Sequence, residues 1–151
     1  MQIELANRED LKEILELQKL AFYEEAVLYN DFNIQPLNQT LKEINKEFEK
    51  KLFIKGIIDG RIIGSARSEK IDDICYIYKV IVHTNYRNQG IGKLLMKEIE
   101  KINNDAKKYE LFTGYKSKRN IYFYKKLGYT KTDNLIAVDN VHFVTMFKIN
   151  N

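Results

Sequence analysis

The spacing of apolar residues changes at residue 53, and few architectures accommodate that change in a chain of 151 residues. Before it, Leu11, Ile14, Leu15 and Gln18 to Phe22 recur at helical spacing, and Leu37, Leu41, Ile44 and Phe48 form a second helical stripe. Asn7 with Asp10, and Thr40 with Glu43, stand where capping boxes open helices. Residues 29–36 break the pattern and read as a loop, so the second helix is expected to run to about Lys50. After the change, residues 53–58 and 61–68 read as strands joined by Asp59-Gly60, a two-residue hairpin signal. Asp72-Asp73 marks another turn. Ile74 to His83 is rich in β-branched and aromatic residues with few polar breaks, which predicts a central strand buried on both faces.

The helical period then returns. Ile91, Leu94, Leu95, Ile99 and Ile102 follow Gly90 at 3/4 spacing, residues 109–113 form a short strand, and Ser117 to Lys126 form a helix stopped by Gly128. Two strands close the chain, near Lys131 and from Val141 to Ile149, and Met1 to Ala6 supplies one at its start. The order is β-α-α-β-β-β-α-β-α-β-β. Hairpins and crossovers together predict one α/β domain over residues 1–151: a mixed, mostly antiparallel sheet of about seven strands with four helices on its two faces. A chain of this length buries enough surface to need no disulfide or metal. Cys75 has no partner, and two scattered histidines make no metal site. The start of the sequence has no signal-peptide pattern, and no run approaches the roughly 18 apolar residues of a membrane span. A cytoplasmic protein without a membrane partner is the expectation.

Charge is unevenly distributed. Residues 1–50 hold six Lys/Arg against eleven Asp/Glu, a net −5; residues 51–151 hold 19 against ten, a net +9. The second part suits an anionic ligand and the first a cationic one, or both are ordinary solvated faces. Between the central strand and the following helix lies Arg87-Asn88-Gln89-Gly90-Ile91-Gly92-Lys93. Two glycines leave the backbone N–H groups open, and the helix N-terminus adds unsatisfied donors and the positive end of its dipole. A pyrophosphate requires that geometry, to which Arg87 and Lys93 add charge; a plain tight turn is the other reading. A dinucleotide fingerprint would need glycine at Leu95, and a Walker A loop would need glycine at Arg87 and Ser or Thr at Leu94.

A second segment, Asn120 to Tyr129, follows after one further strand. With it the chain resembles the GNAT superfamily of N-acetyltransferases. Arg87, Gly90 and Gly92 match that family's R/Q-x-x-G-x-G/A loop, and Asn120, Tyr124, Leu127, Gly128 and Tyr129 match its Asn, Tyr and Leu-Gly-aromatic pattern. The resemblance spans the whole element order. It implies a sheet whose fourth and fifth strands splay apart and acetyl-CoA as donor; the lack of metal-ligand spacing predicts no metal. The resemblance implies that backbone N–H groups of Asn88, Gln89, Gly90, Ile91, Gly92 and Lys93 hold the pyrophosphate. Ile81 and Val82 would pair with the pantetheine arm, Asn120 would hydrogen-bond it, and Tyr124 would stand at the thioester sulfur as general acid.

The base is open. The central strand has no carboxylate, which leaves Tyr76, Tyr78, His83, a water chain, or Glu24 or Glu25. Cys75 has no activating histidine beside it and reads as a buried thiol. The family arrangement sets the first helices over the acceptor side, where Glu24, Glu25, Asp31 and Tyr29 would favour a small cationic amine or polyamine, in competition with a surface-facing reading of the same residues. A protein N-terminus or lysine is the alternative acceptor, and an acyl-CoA-binding regulatory module with little turnover the alternative from another class. No nucleic-acid motif is present despite a sequence pI near 9.0, so no nucleic-acid partner is expected. A homodimer is compatible with all of this.

Overall fold

The computed structural model describes residues 1–138 and 141–151. Among the described residues, seven strands form one sheet: β1 (Gln2–Leu5), β2 (Leu52–Ile58), β3 (Arg61–Ile71), β4 (Ile74–Val82), β5 (Lys108–Gly114), β6 (Thr130–Val138) and β7 (Val141–Ile149). Their spatial order is β1-β2-β3-β4-β5-β7-β6. All neighbours are antiparallel except β4 and β5. The α-helices are α1 (Leu11–Tyr29), α2 (Gln35–Asn38), α3 (Leu41–Phe48), α4 (Ile91–Ile102) and α5 (Lys118–Lys126). The α/β architecture is the one the period changes predict, with one helix more.

That extra helix is α2, a single turn inside the expected loop and the start of the expected second helix. Pro36 sits in its first turn, where the missing N–H costs nothing and the fixed φ suits a helix. It cannot run on into α3, because Thr40 must be extended to cap that helix. The Thr40 hydroxyl accepts from Glu43 N (3.1 Å) while Glu43 accepts from Thr40 N (2.9 Å). Asn7 and Asp10 form the other expected box, on a 3₁₀ turn that leads into α1.

Each face of the sheet carries its own core. Leu11, Ile14, Leu15, Leu17 and Ile44 pack on Phe53, Ile62 and Ile81 under α1 and α3. Leu95, Met96, Ile99 and Tyr124 pack on Ile54, Ile63, Cys75, Ile77 and Leu111 under α4 and α5. A buried polar network ties the first layer together. Arg67, 1% exposed, donates to Glu47 (2.8 Å) and Gln18; Gln18 donates to Gln39 (2.9 Å), and Gln39 donates to Glu47 (2.8 Å). These four residues lie on β3, α1, the α2–α3 link and α3, so one guanidinium fixes three elements on a strand.

β4 is central, but it is not buried on both faces as expected. Cys75, Ile77 and Ile81 are buried, whereas Tyr76, Tyr78, Val80 and Val82 are half-buried. For Val80 and Val82 the reason lies in the neighbouring strand. The pairing with β5 runs only from Ile74↔Lys108 to Ile77↔Leu111, although β4 continues to Val82 and β5 to Gly114. Past Ile77 the two strands part. Just there β4 carries a bulge, with Lys79 in the left-handed region (φ 48°) and the register to β3 shifting between Ser65 and Arg67.

Candidate active site

The parting of β4 from β5 opens a cleft of about 820 Å³. One wall is Val80, Ile81 and Val82 with the loop that follows them; the other is the start of α5. The C-terminal half of α1 crosses between them, contributing Ala21, Phe22, Glu24, Glu25 and Leu28. His83 N donates to Ile63 O (2.8 Å), so by the alternation of an antiparallel pair the backbone N–H and C=O of Val82 point away from β3, toward the cleft. The Ile81 side chain is buried in the α1 core and its backbone faces Ser65.

The loop 87–93 forms an anion cradle. Asn88 (φ 60°) and Gly90 (φ 79°) are both left-handed, a conformation Asn tolerates and Gly adopts without strain. Gly90 is the N-cap of α4, so no capping side chain covers the start of that twelve-residue helix. The first-turn N–H donors and the helix dipole face the cleft. A Cβ at Gly90 would meet nothing within 4 Å, so the space beside the cap is open. Gly92 has a different reason to be glycine: a Cβ there would stand 3.1 Å from the Phe123 ring, at the contact of α4 with α5. An uncapped helix start, open space and flanking Arg87 and Lys93 fit a pyrophosphate.

Of the residues expected at the site, Ile81, Val82, Arg87, Asn88, Gly90, Ile91, Gly92, Lys93, Asn120, Tyr124, Glu24 and Glu25 line the cleft, whereas Gln89, Tyr29 and Asp31 do not. Tyr29 instead fastens α1 to the far wall, where its hydroxyl accepts from Lys116 N (3.0 Å). Glu24 ion-pairs with Arg87 (2.6 Å) and Arg119 (3.6 Å). The Arg87 hydrogen bond, with both positive charges, holds its carboxyl below the usual range. The cleft also draws Lys116, Lys118, Arg119 and Lys126 to its rim, a basic cluster that no motif singled out.

Tyr124 lies on α5 one turn after Asn120. It is 8% exposed and packs edge-on against Phe123 and Tyr129. Among the described residues its hydroxyl makes no hydrogen bond, and no unpartnered buried side-chain oxygen is present, so that hydroxyl reaches the cleft rather than the core. Burial, and then the charge of Glu25, push the phenol well above its ordinary value. Such a phenol is protonated near neutrality. Glu25 is half-buried beside it and accepts from Asn120 Nδ2 (3.4 Å). Burial raises its pKa, against the opposing pull of the Ser117 hydroxyl and the Arg119 charge.

The other candidates for a base lie elsewhere. Tyr76 and Tyr78 do not line the cleft. His83 Nδ1 accepts from Asn85 N (3.1 Å), and its ring lines a separate small pocket with Glu13, Glu16 and Arg61. Cys75 is in the core, its thiol pushed up to about 12 by burial. Among the described residues no group of three or more His, Cys, Asp or Glu is placed to hold a metal, and no helix is long and apolar enough to cross a membrane.

Comparison with known proteins bears on this arrangement. The chain is 26% identical over 130 residues to the UPF0157 protein YqkA of Bacillus subtilis (strain 168); the match covers 86% of this chain but only 37% of that protein's length. Its fold is similar to the PaiA N-acetyltransferase of Thermoplasma acidophilum in complex with coenzyme A, at TM-score 0.81, 19% identity and 99% coverage of both chains. It is also similar to the ribosomal-protein-S18-alanine N-acetyltransferase of Escherichia coli, at TM-score 0.80 and 14% identity, covering 99% of this chain and 94% of that one. The family model for the acetyltransferase (GNAT) family, whose enzymes take acetyl-CoA as acyl donor, matches residues 9–129, from the first helical turn through Tyr129, and the chain belongs to that family.

Proposed function

We propose that this chain is an acetyl-CoA-dependent N-acetyltransferase acting on a primary amine, with a small cationic amine or polyamine as the favoured acceptor. One observation carries the reading: an uncapped helix start and a phenol without a hydrogen-bond partner among the described residues face the same cleft. The N–H groups of residues 88–93 hold the pyrophosphate, with Arg87 and Lys93 supplying charge. The outward-facing backbone of Val82 pairs with the pantetheine arm, and Asn120 hydrogen-bonds it. When bound, the cofactor supplies an activated acyl carbonyl next to a sulfur leaving group. Tyr124 donates to that sulfur as charge collects on it, a contribution of about 10²-fold or more.

Support for a cationic acceptor comes from the −5 net charge of residues 1–50, part of which roofs the cleft through α1. Glu24 is occupied by two arginines, so Glu25 is the acidic side chain on that roof with a carboxylate left to meet an amine. The test is thiol release from acetyl-CoA across a panel of polyamines, neutral primary amines, free amino acids and peptides with unblocked N-termini. Fastest turnover with polyamines supports the reading. Turnover confined to the peptides would make the acceptor a protein. Coenzyme A binding without turnover on any of them would make the chain a binding module.

A further inference from the structure

We propose that Glu25 is the base of this reaction, taking a proton from the acceptor amine and, through Tyr124, returning it to the departing sulfur. The assignment rests on the N-acetyltransferase reading above. Of the groups able to take a proton, Glu24 is locked between Arg87 and Arg119, His83 faces another pocket, and Cys75 is in the core. Tyr76 and Tyr78 stand off the cleft. Glu25 alone among them is in the cleft without a cation in ion-pair contact. It projects from α1, which roofs the cleft, toward α5, which carries Asn120 and Tyr124 on one face. A base on the roof and a donor on the wall leave the space between them for the reacting carbon.

The neighbours suit the task. Around Glu25 stand Ser117, Arg119, Tyr124 and Tyr29, with Glu24 beside it on α1. Burial raises its carboxyl pKa, which makes it a stronger base than a solvated glutamate. In the reaction the nitrogen lone pair forms the N–C bond and the C–S bond breaks with its electron pair on sulfur. The amine proton passes to Glu25, the Tyr124 proton passes to sulfur, and Glu25 then reprotonates Tyr124. The products are the N-acetylated amine and the free thiol, with both side chains as they began.

Three measurements test it. In the free protein, carbon NMR of isotope-labelled glutamate should find Glu25 titrating above 4.5, and Glu25→Gln should lower the Tyr124 phenol pKa. Titration of Glu25 at or below that value overturns the assignment. With an amine that the wild type turns over, Glu25→Gln should lower kcat about 100-fold, change the acetyl-CoA KM by less than about twofold, and abolish the acid limb of the kcat profile. Glu25→Ala should recover part of its rate in added formate, which a merely structural glutamate would not allow. An increased acetyl-CoA KM with kcat intact would mean that Glu25 only positions Asn120, and would also overturn the proposal. A wild type inactive toward every amine refutes the acetyltransferase reading and this one with it. An active wild type matched by Glu25→Gln refutes this one alone.

Discussion

Burial raises the Tyr124 phenol pKa by making phenolate costly, and among the described residues its hydroxyl has no hydrogen-bond partner, which leaves it open to the cleft. Removing the hydroxyl leaves the ring packing against Phe123 and Tyr129 intact. Tyr124→Phe should therefore lower kcat about 100-fold at unchanged acetyl-CoA affinity, read by steady-state kinetics and calorimetry. Unchanged turnover where chemistry limits the rate would remove the hydroxyl from the mechanism. Gly90 is the other residue on which a single change reads cleanly. Gly90→Asp sets a negative side chain in the open space beside the helix start and forces a left-handed backbone on a residue with a Cβ. Coenzyme A binding should weaken at least about tenfold, or 1.4 kcal/mol; wild-type affinity would put the pyrophosphate elsewhere. Both residues were legible from the sequence because each sits in a local pattern: a glycine between strand and helix, a tyrosine four residues after an asparagine. The role proposed for Glu25 could not be singled out from the sequence, since it depends on α1 crossing to a residue 95 positions on. Nor does the pattern reveal that Gly92 makes room for Phe123 rather than for phosphate alone.

At the scale of elements, α1 does two jobs. Its first half fills one core, and its second half bridges the cleft through Glu24, Glu25 and Tyr29. The first half is fixed by Arg67 and Glu47. Burial lowers the Arg67 pKa to about 10, so a positive charge remains that must be balanced. Burial also pushes Glu47 up, but the charges of Arg67 and Lys79 and two hydrogen bonds outweigh it and hold that carboxyl low. A folded-state pKa below the unfolded one means that the pair stabilises the protein above about pH 4.5 and loses that stabilisation as pH falls. Glu47→Gln should lower unfolding stability at neutral pH by about 3–5 kcal/mol, because it leaves the Arg67 charge buried and unpaired. The same change should flatten the acid side of the stability curve. Urea unfolding across pH checks both, and a loss below about 1 kcal/mol would mean that water reaches the guanidinium. Capping residues announced α1 and α3, but this network was not legible, because Gln18, Gln39, Glu47 and Arg67 meet only once three elements have packed. The same reason hid α2: a one-turn helix has no period to read.

At the scale of the molecule, function comes from a sheet that fails to stay closed. β4 and β5 are parallel neighbours for four residues and then separate, so a continuous sheet becomes a cleft with one free strand edge. Period changes and hairpin turns predicted a mixed sheet and the order of elements along the chain, but not the spatial order of the strands; the splay of the fourth and fifth strands was implied by family resemblance alone, and its start after Ile77 follows from three-dimensional divergence. Both signs of charge meet at the same opening, where Arg87, Lys93, Lys116, Lys118, Arg119 and Lys126 line the cleft with Glu24 and Glu25 of α1. If that field guides the acceptor, kcat/KM for a polyamine should fall with added salt more steeply than for a neutral-tailed amine of similar size. Parallel slopes would mean recognition through apolar or backbone contacts. The central claim, that an acetyl group leaves sulfur for nitrogen in this cleft, is tested most directly by counting both products. Purified protein is given excess acetyl-CoA and the best amine of the panel, and free thiol and N-acetylated amine are quantified in the same samples by thiol reagent and mass spectrometry. The two products should appear in equal amounts and fall together in Tyr124→Phe. Thiol released without acetylated amine, or no thiol beyond the protein-free rate, would contradict it.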